Sequence, residues 1–222
     1  RMDNMVMYSS PKFAGLQLHA QYSSGIDQAT EKTAEENSGS STRYMGLGLQ
    51  YFNGPFSTIA VVDSHRYAAT SEDPGVTANG SVAYDFGVAK LYASGQYFDN
   101  AKGVGQKRAT ETGITGGYNF NSADLEGAEG WGLNVGVGVP VFGGTAKAQV
   151  AYMDAESTRN SDMNVSRWSL AAGYDYNLSK RTMVYTAAAY TRDDVSEQYQ
   201  ATTGTGSNPS TVEVMAGIVH KF

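Results

Sequence analysis

The 222-residue sequence contains no cysteine, only five prolines and no run of 18 apolar residues. The absence of cysteine excludes a disulfide scaffold and any cysteine-based metal or redox site. Because no apolar run is long enough to cross a bilayer as a helix, a helical membrane protein is excluded as well. The mean hydropathy of −0.38 still permits a membrane β-barrel, since only alternate residues of each barrel strand face lipid.

Residues suited to catalysis are scarce. The three histidines, His19, His65 and His220, have no metal-ligand spacing with one another or with carboxylates. If the protein were an enzyme, an outer-membrane barrel protease or phospholipase would be the alternative to a non-catalytic barrel. Such an enzyme would need His, Asp and Ser clustered at one rim. Asp63 and His65 are the only hint of such a cluster. We therefore predict that the protein is not an enzyme and has no catalytic residues.

The sequence is rich in glycine and tyrosine, with 26 and 15 residues, and its last segment shows the pattern most clearly. In residues 210–222, apolar side chains recur at every second position: Val212, Val214, Ala216 and Ile218. This period of two predicts a strand with one apolar face. A strand of about 10 residues that ends on an aromatic, here Phe222, is typical of an outer-membrane barrel. We interpret Phe222 as the barrel-closing signature of the carboxyl terminus.

The same alternation predicts about eleven strands and hence an all-β fold, an antiparallel transmembrane β-barrel. Residues 131–139 form the clearest strand, the strand at 56–65 accepts either face as the lipid side, and 112–120 has weak strand character. Short and long connections alternate, as expected for periplasmic turns and extracellular loops. A soluble jelly roll or lectin sandwich would not place aromatic residues so regularly near strand ends.

Charge is segregated along the chain. The predicted long loops, at 25–41, 66–77, 99–130, 155–162 and 192–210, hold 16 of the 22 acids and 7 of the 16 bases, a net charge of −9. The remaining strands and turns have a net charge of +3. We expect the acidic loops, including Glu35–Glu36 and Asp193–Asp194, to bind divalent cations and to bridge through them to lipopolysaccharide. No other cofactor is expected.

Charged residues on the polar faces of the strands are the candidate pore-lining residues. A lysine or arginine at the lipid midplane costs roughly 2–4 kcal/mol, so these charges are expected to point inward or to lie near a rim. The positive sum of the strands and turns favours an anion preference, with Arg1 as its first candidate source. The full candidate set is Arg1, Asp3, Lys90, Lys147, Arg167 and Glu213, with Asp175 and Lys221 on the same faces.

The opening RMDNMVMYSSPKFAG resembles the RxDNSVRYxSPxFAG stretch of general porins of the β-proteobacterial type, and GPFS, NLSKRT and the terminal AGIVHKF continue the likeness. Met5, Met7 and Val219 depart from the pattern. The resemblance implies a homotrimeric, 16-stranded porin in the outer membrane of a Gram-negative bacterium. Such a channel passes small hydrophilic solutes and ions by passive diffusion, contacts lipid and lipopolysaccharide, and binds no nucleic acid. The arginine matching Arg1 would face the constriction.

The resemblance also implies that residues 1–222 are a single barrel domain that lacks the N-terminal strands and the constriction loop. Sixteen strands at about 20 residues per strand and connection need on the order of 320 residues. We therefore expect the chain to match the C-terminal two-thirds of a porin whose signal peptide has been removed. Small outward residues, with Ala187 and Ala189 as examples, are expected to suit the contact between protomers.

Overall fold

The computed structural model describes residues 3–26, 41–67, 73–104, 118–120, 125–204, 206 and 208–221. The described chain is almost entirely antiparallel β-structure with one short helix. Its strands are β1 Met5–Ser9, β2 Leu16–Ser23, β3 Arg43–Asn53, β4 Phe56–Arg66, β5 Gly75–Asp85, β6 Lys90–Ala101, β7 Gly103–Val104, β8 Tyr118–Asn119, β9 Ala128–Val141, β10 Gly144–Ser157, β11 Asn164–Asn177, β12 Thr182–Val195 and β13 Ser210–His220. Helix α1, Glu197–Thr203, lies between β12 and β13. None of the described helical structure is long and apolar enough to span a membrane.

Eleven strands form one sheet in which each strand pairs with its neighbour along the chain. The exception is β6, which pairs with β9 because β7 and β8 form a separate two-stranded sheet. Tight turns join the strands at one end, and the longer connections lie at the other. The turn between β9 and β10 has positive φ at Phe142 and Gly143, 50° and 77°, the backbone of a two-residue hairpin loop. We call the two ends the turn end and the loop end.

The two faces of the sheet differ in chemistry. One face is apolar and open to its surroundings, as shown by Leu47, Leu133 and Val214, which are 61%, 55% and 74% exposed. The opposite face carries glycine and polar side chains, and three open cavities lie on it. Exposed leucine and valine in continuous rows are unfavourable in water and favourable in lipid. We therefore call the apolar side the outer face and the polar side the inner face.

Several strands extend further than their hydrophobic pattern indicates. Strand β5 begins at Gly75 rather than at residue 81, β10 continues to Ser157, and β12 continues to Val195 rather than ending at 191. Polar residues occupy the outer face of the β10 and β12 extensions, where Asp154 pairs with Trp131 and Arg192 with Trp168. The apolar alternation ends at the aromatic residues, but the backbone ladder continues beyond them, so a hydrophobic pattern reports only part of each strand.

The register settles two questions of orientation. In β4, Ala60 pairs with Leu49 and Val62 with Leu47, so the even-numbered residues face outward. In β12, Ala188 pairs with Val214, whereas Ala189 pairs with Glu213. The prediction that Ala187 and Ala189 face outward was therefore wrong. Consecutive alanines at 187–189 show no alternation in hydrophobicity, so the pattern assigns no parity there.

Helix α1 lies within the segment predicted as a Ser/Thr/Gly loop. The Ser196 hydroxyl caps its first turn by accepting the Tyr199 N–H, and Gly204 ends it in the left-handed conformation at φ 70°. These are the ordinary start and stop signals of a helix. Of the segment 112–120, only residues 118–120 are described, and Tyr118–Asn119 pairs with Gly103–Val104.

Candidate functional site: the inner wall and the loop-end core

Two predicted pore-lining lysines lie in one transverse row of the inner face. Lys90 of β6 pairs with Gly138 of β9, and Gly138 pairs in turn with Lys147 of β10. Two strand spacings of about 4.8 Å separate the backbones of the two lysines. Because Gly138 has no side chain, no group from the intervening strand stands between them.

The lysine row borders an open groove of about 630 Å³ on the inner face, near the turn end. The Lys147 ammonium donates a hydrogen bond to the Asp175 carboxylate, and the two form an ion pair. The Lys90 ammonium lies 5.4 Å from the centroid of the Tyr92 ring, a cation–π distance. Within the described part of the chain, Lys90 makes no ion pair.

Arg167, a third predicted pore-lining residue, is engaged at the loop end of the sheet. Its Nε donates to Asp193 Oδ1 at 2.6 Å and its Nη2 to Oδ2 at 2.7 Å. The Tyr118 hydroxyl donates to the same Oδ2 at 2.6 Å. Burial, followed by the hydrogen bond to Asp193, raises the pKa of Tyr118 above its ordinary value. Asp193 therefore joins Tyr118 to Arg167, and this contact holds residues 118–120 against the wall.

A hydrophobic cluster surrounds this contact, and we call it the loop-end core. It covers the inner face of β9–β12 where the strands end. The Tyr199 ring contacts the Tyr118 and Phe120 rings at centroid distances of 5.9 and 5.2 Å, and its hydroxyl donates to the Asn119 carbonyl at 2.9 Å. Its buried members are Phe98, Val104, Tyr118, Phe120, Leu125, Ala128, Ala155, Met163, Val165, Val195 and Tyr199.

The sequence showed no signal for this core, because its members are spread over six segments and lack a common period. The Ser157 hydroxyl adds a further link by donating to the Leu125 carbonyl at 2.7 Å. Gly127, at φ 122°, fits only without a side chain, since an added Cβ would lie 2.1 Å from Asn100 Oδ1. The connection between β6 and β9 is thus folded onto the wall at 118–120 and 125–127.

The other predicted site residues lie apart from one another. Glu213 of β13 faces inward opposite Ala189. The Asp3 carbonyl accepts a hydrogen bond from the Ser23 hydroxyl at 2.6 Å. Arg1, the first candidate source of selectivity, and Phe222, the predicted closing signature, lie outside the described residues.

The inner face does not have the positive sum expected of the wall. Within the described strands it carries three bases and five acids, because Asp193 belongs to a strand and Lys180 and Arg181 lie on a turn. The bases are Lys90, Lys147 and Arg167, and the acids are Asp63, Asp85, Asp175, Asp193 and Glu213.

Two hints of other chemistry do not lead to a site. His65 Nε2 lies 3.8 Å from Asp63 Oδ1, and its ring packs beside Tyr44 at a centroid distance of 5.0 Å, but in the described part of the chain no serine side chain makes a hydrogen bond to His65. Asp193 and Asp194 cannot hold one cation together, because they point to opposite faces of β12 and Asp193 is held by Arg167. Among the described residues no group of three His, Asp or Glu side chains is placed to hold a metal ion. Glu35 and Glu36 lie outside the described residues.

An antiparallel sheet with one lipid-compatible face and one polar face defines the class of outer-membrane β-barrels. The family model for Gram-negative porins matches residues 1–196. The chain belongs to this family of outer-membrane proteins.

The relatives are themselves porins. The chain is 27% identical to an outer membrane porin protein of Bordetella pertussis and 29% identical to outer membrane porin protein 32 of Delftia acidovorans. All of this chain aligns in both cases, and it spans 58% and 57% of those relatives. The fold matches the anion-selective porin from Comamonas acidovorans with a TM-score of 0.68 at 24% identity, over 100% of this chain and 60% of that one.

Proposed function

We propose that the full-length protein forms a water-filled channel for passive diffusion of small hydrophilic solutes and ions across the outer membrane. The observation that carries this proposal is the division between the two faces of the eleven-stranded sheet. Glycine and small polar residues keep the inner wall open to water, and exposed leucine and valine suit the outer wall to lipid. The proposed function involves no catalytic step.

Planar-bilayer recording of the purified full-length protein tests this function. Discrete conductance steps with a linear current–voltage relation are expected. A protein that inserts into the bilayer and produces no steps would contradict the proposal. A heat-denatured sample in the same detergent controls for conductance from detergent alone.

In the proposed full-length protein, the eleven strands belong to one barrel domain with the further strands that close the ring, about sixteen in all, since lipid does not tolerate an unpaired strand edge.

We further propose that three copies of the barrel form one assembly, as the resemblance to trimeric porins implies. The row of small outward residues Ala148, Ala172 and Ala188 would allow close approach of another protomer. Native mass spectrometry in detergent tests the assembly, and a monomer alone would contradict it.

The acidic loop end supports a second part of the proposal, binding of divalent cations between the protein and lipopolysaccharide. Asp194 and Glu197 are candidates there because both are exposed. Chelation is expected to lower thermal stability in lipopolysaccharide-containing micelles and to have no effect without lipopolysaccharide. Equal melting curves with and without chelator in both micelles would rule the bridge out.

Anion preference, which the sequence favoured through Arg1, stays a prediction. Reversal potentials under a KCl gradient, for wild type and Arg1→Ala in the full-length protein, test it. Cation preference in the wild type, or an unchanged potential in the variant, would exclude this role for Arg1.

A further inference from the structure

The groove beside the lysine row differs from the rest of the inner wall in its charge pairing. Of the three bases on the described inner face, Arg167 is held by Asp193 and Lys147 by Asp175. Lys90 is the base in this described set that faces the groove without a carboxylate partner. The Lys90 ammonium lies 5.4 Å from the centroid of the Tyr92 ring, and this ring contact takes up none of its hydrogen bonds to acceptor atoms, so its donors are available to a ligand.

The acids around the groove are already engaged. The Asp175 carboxylate accepts from the Lys147 ammonium. Asp85, paired with Lys90 across β5 and β6, lines the same groove and accepts the Gly87 N–H at 2.8 Å through Oδ1. The Lys147 ammonium uses one of its three donors on Asp175 and keeps two. Among the described residues, the groove therefore presents unused donors from the two ammonium groups, beside two carboxylates that each already accept a hydrogen bond, Asp175 from Lys147 and Asp85 from the Gly87 N–H.

The spacing of the two lysines suits one small oxyanion. Their backbones lie two strand spacings apart, about 10 Å, on either side of Gly138. The Lys147 ammonium, which contacts Asp175, would turn toward Gly138 to share an anion with the Lys90 ammonium. An anion there would accept hydrogen bonds from both ammonium groups, at about 2.8 Å each for charge-assisted bonds. Gly138 is required for this geometry, because a larger side chain would fill the space between them.

We propose that Lys90 and Lys147, with Gly138 between them, form a binding site for small oxyanions, carboxylate or phosphate, on the inner wall near the turn end. The inference rests on the proposed channel function only in placing the site along the diffusion path. An anion that leaves the central channel would pause there before it exits at the turn end.

Acylation footprinting of the full-length protein in detergent tests the site without requiring a channel. Inorganic phosphate is the first probe and succinate the second. Each is expected to slow acylation of Lys90 by roughly two- to fivefold, the range for one partly solvated ionic contact. Lys180, an exposed lysine on the β11–β12 turn, is the internal control and should react at the same rate throughout. If phosphate and succinate protect Lys90 no more than they protect Lys180, the proposal is overturned.

Channel recording then tests whether the site affects transport. The concentration of phosphate that half-blocks the chloride current is expected to rise roughly two- to fivefold in Lys90→Gln and to change little in Lys180→Gln, which removes the same charge. Gly138→Val keeps all charges and should match Lys90→Gln; a Cβ there meets Thr145 Cγ2 at 3.7 Å and Tyr92 at 3.9 Å, ordinary contacts. If Lys90→Gln and Lys180→Gln give the same half-blocking concentration, or if Gly138→Val matches wild type, the oxyanion site is refuted but the channel function is not. If the wild-type protein shows no conductance, the channel function is refuted, and acylation footprinting alone tests the oxyanion site.

Discussion

The turn end and the loop end of the sheet are built on opposite principles. We divide the sheet across the middle of its strands into a turn half, next to the turn end, and a loop half, next to the loop end. Among the described residues, the turn half contains six bases and two acids, and the loop half contains six bases and thirteen acids. The turn half has an open, water-facing wall of glycine, lysine and tyrosine, whereas the loop half has a buried hydrophobic core of its own. The two halves thus differ in construction: the inner face of the turn half is open, and that of the loop half is closed by packed side chains.

The largest effect on this contrast is expected from Phe120→Ala, which removes a fully buried ring from the loop-end core. Such a truncation costs about 3–5 kcal/mol. Because only the loop end depends on this ring, limited proteolysis should become faster at the loop end while the strand ladder remains. Phe142→Ala, at a turn residue that is 93% exposed, is the matched control and should leave proteolysis unchanged. If both variants are cut at the same rate, the core does not hold the loop end.

Asp193→Ala is expected to have the next largest effect. It leaves the Arg167 guanidinium and the Tyr118 hydroxyl without their acceptor. Breaking a buried ion pair from one side costs about 3 kcal/mol, here at the lower end because the Arg167 side chain is 20% exposed. The measurement is the melting temperature together with proteolysis of the loop end.

Asp194→Ala removes the same charge one residue further along, where the side chain is 50% exposed, and serves as its control. Equal melting temperatures for the two variants would show that the contact between Arg167 and Asp193 stabilises nothing.

A smaller effect should appear in alkaline solution. The raised pKa of Tyr118 means that the folded loop end favours the neutral hydroxyl more than the unfolded loop does. This contribution is complete below the ordinary tyrosine pKa of about 10 and is lost as the pH rises through the higher folded value. Protection of residues 118–120 from hydrogen exchange, measured against the intrinsic exchange rate at each pH, should therefore fall above about pH 10. Tyr118→Phe removes the titrating group and should lose less protection over this range, and an identical profile would exclude Tyr118 as the cause.

The smallest effect is expected at the start of helix α1. Ser196→Ala removes the hydroxyl that accepts the Tyr199 N–H at 3.3 Å and the Asn164 N–H at 3.0 Å. Loss of a helix N-cap costs about 1 kcal/mol. Hydrogen exchange should increase in α1 and leave β9 unchanged, with the exposed Thr202→Ala as the control. No change in α1 would contradict the assigned cap.

The turn half was largely predictable from sequence, and the loop half was not. Alternation at 131–139 gave the correct faces of β9, and it also placed Lys90 and Lys147 on the inner side. Alternation is a local signal, so it can assign a side chain to a face but cannot pair Lys147 with Asp175. It also gives no information where three alanines follow one another, as at 187–189.

The loop half depends on contacts between distant segments. The Tyr118 hydroxyl reaches Asp193 across 75 residues of sequence, and no period or motif links the two. Among the described elements between the long strands of the loop half, helix α1 had local sequence signals for its start and end, because Ser196 is its N-cap and Gly204 its C-cap. The acidic composition of the segment concealed it, because a charged stretch between strands is expected to be solvated loop.

The connection between β6 and β9 has a consequence for how the sheet folds. Most strands find their partner across a short turn or loop, so hairpins can form and zip together in sequence order. Pairing β9 with β6 requires closure over residues 102–127, although each doubling of loop length adds only about 0.6 kcal/mol. Residues 118–120 reach Asp193 only after β11 and β12 are in place. The loop-end core should therefore be the last part of this region to consolidate, after the ladder beneath it has formed.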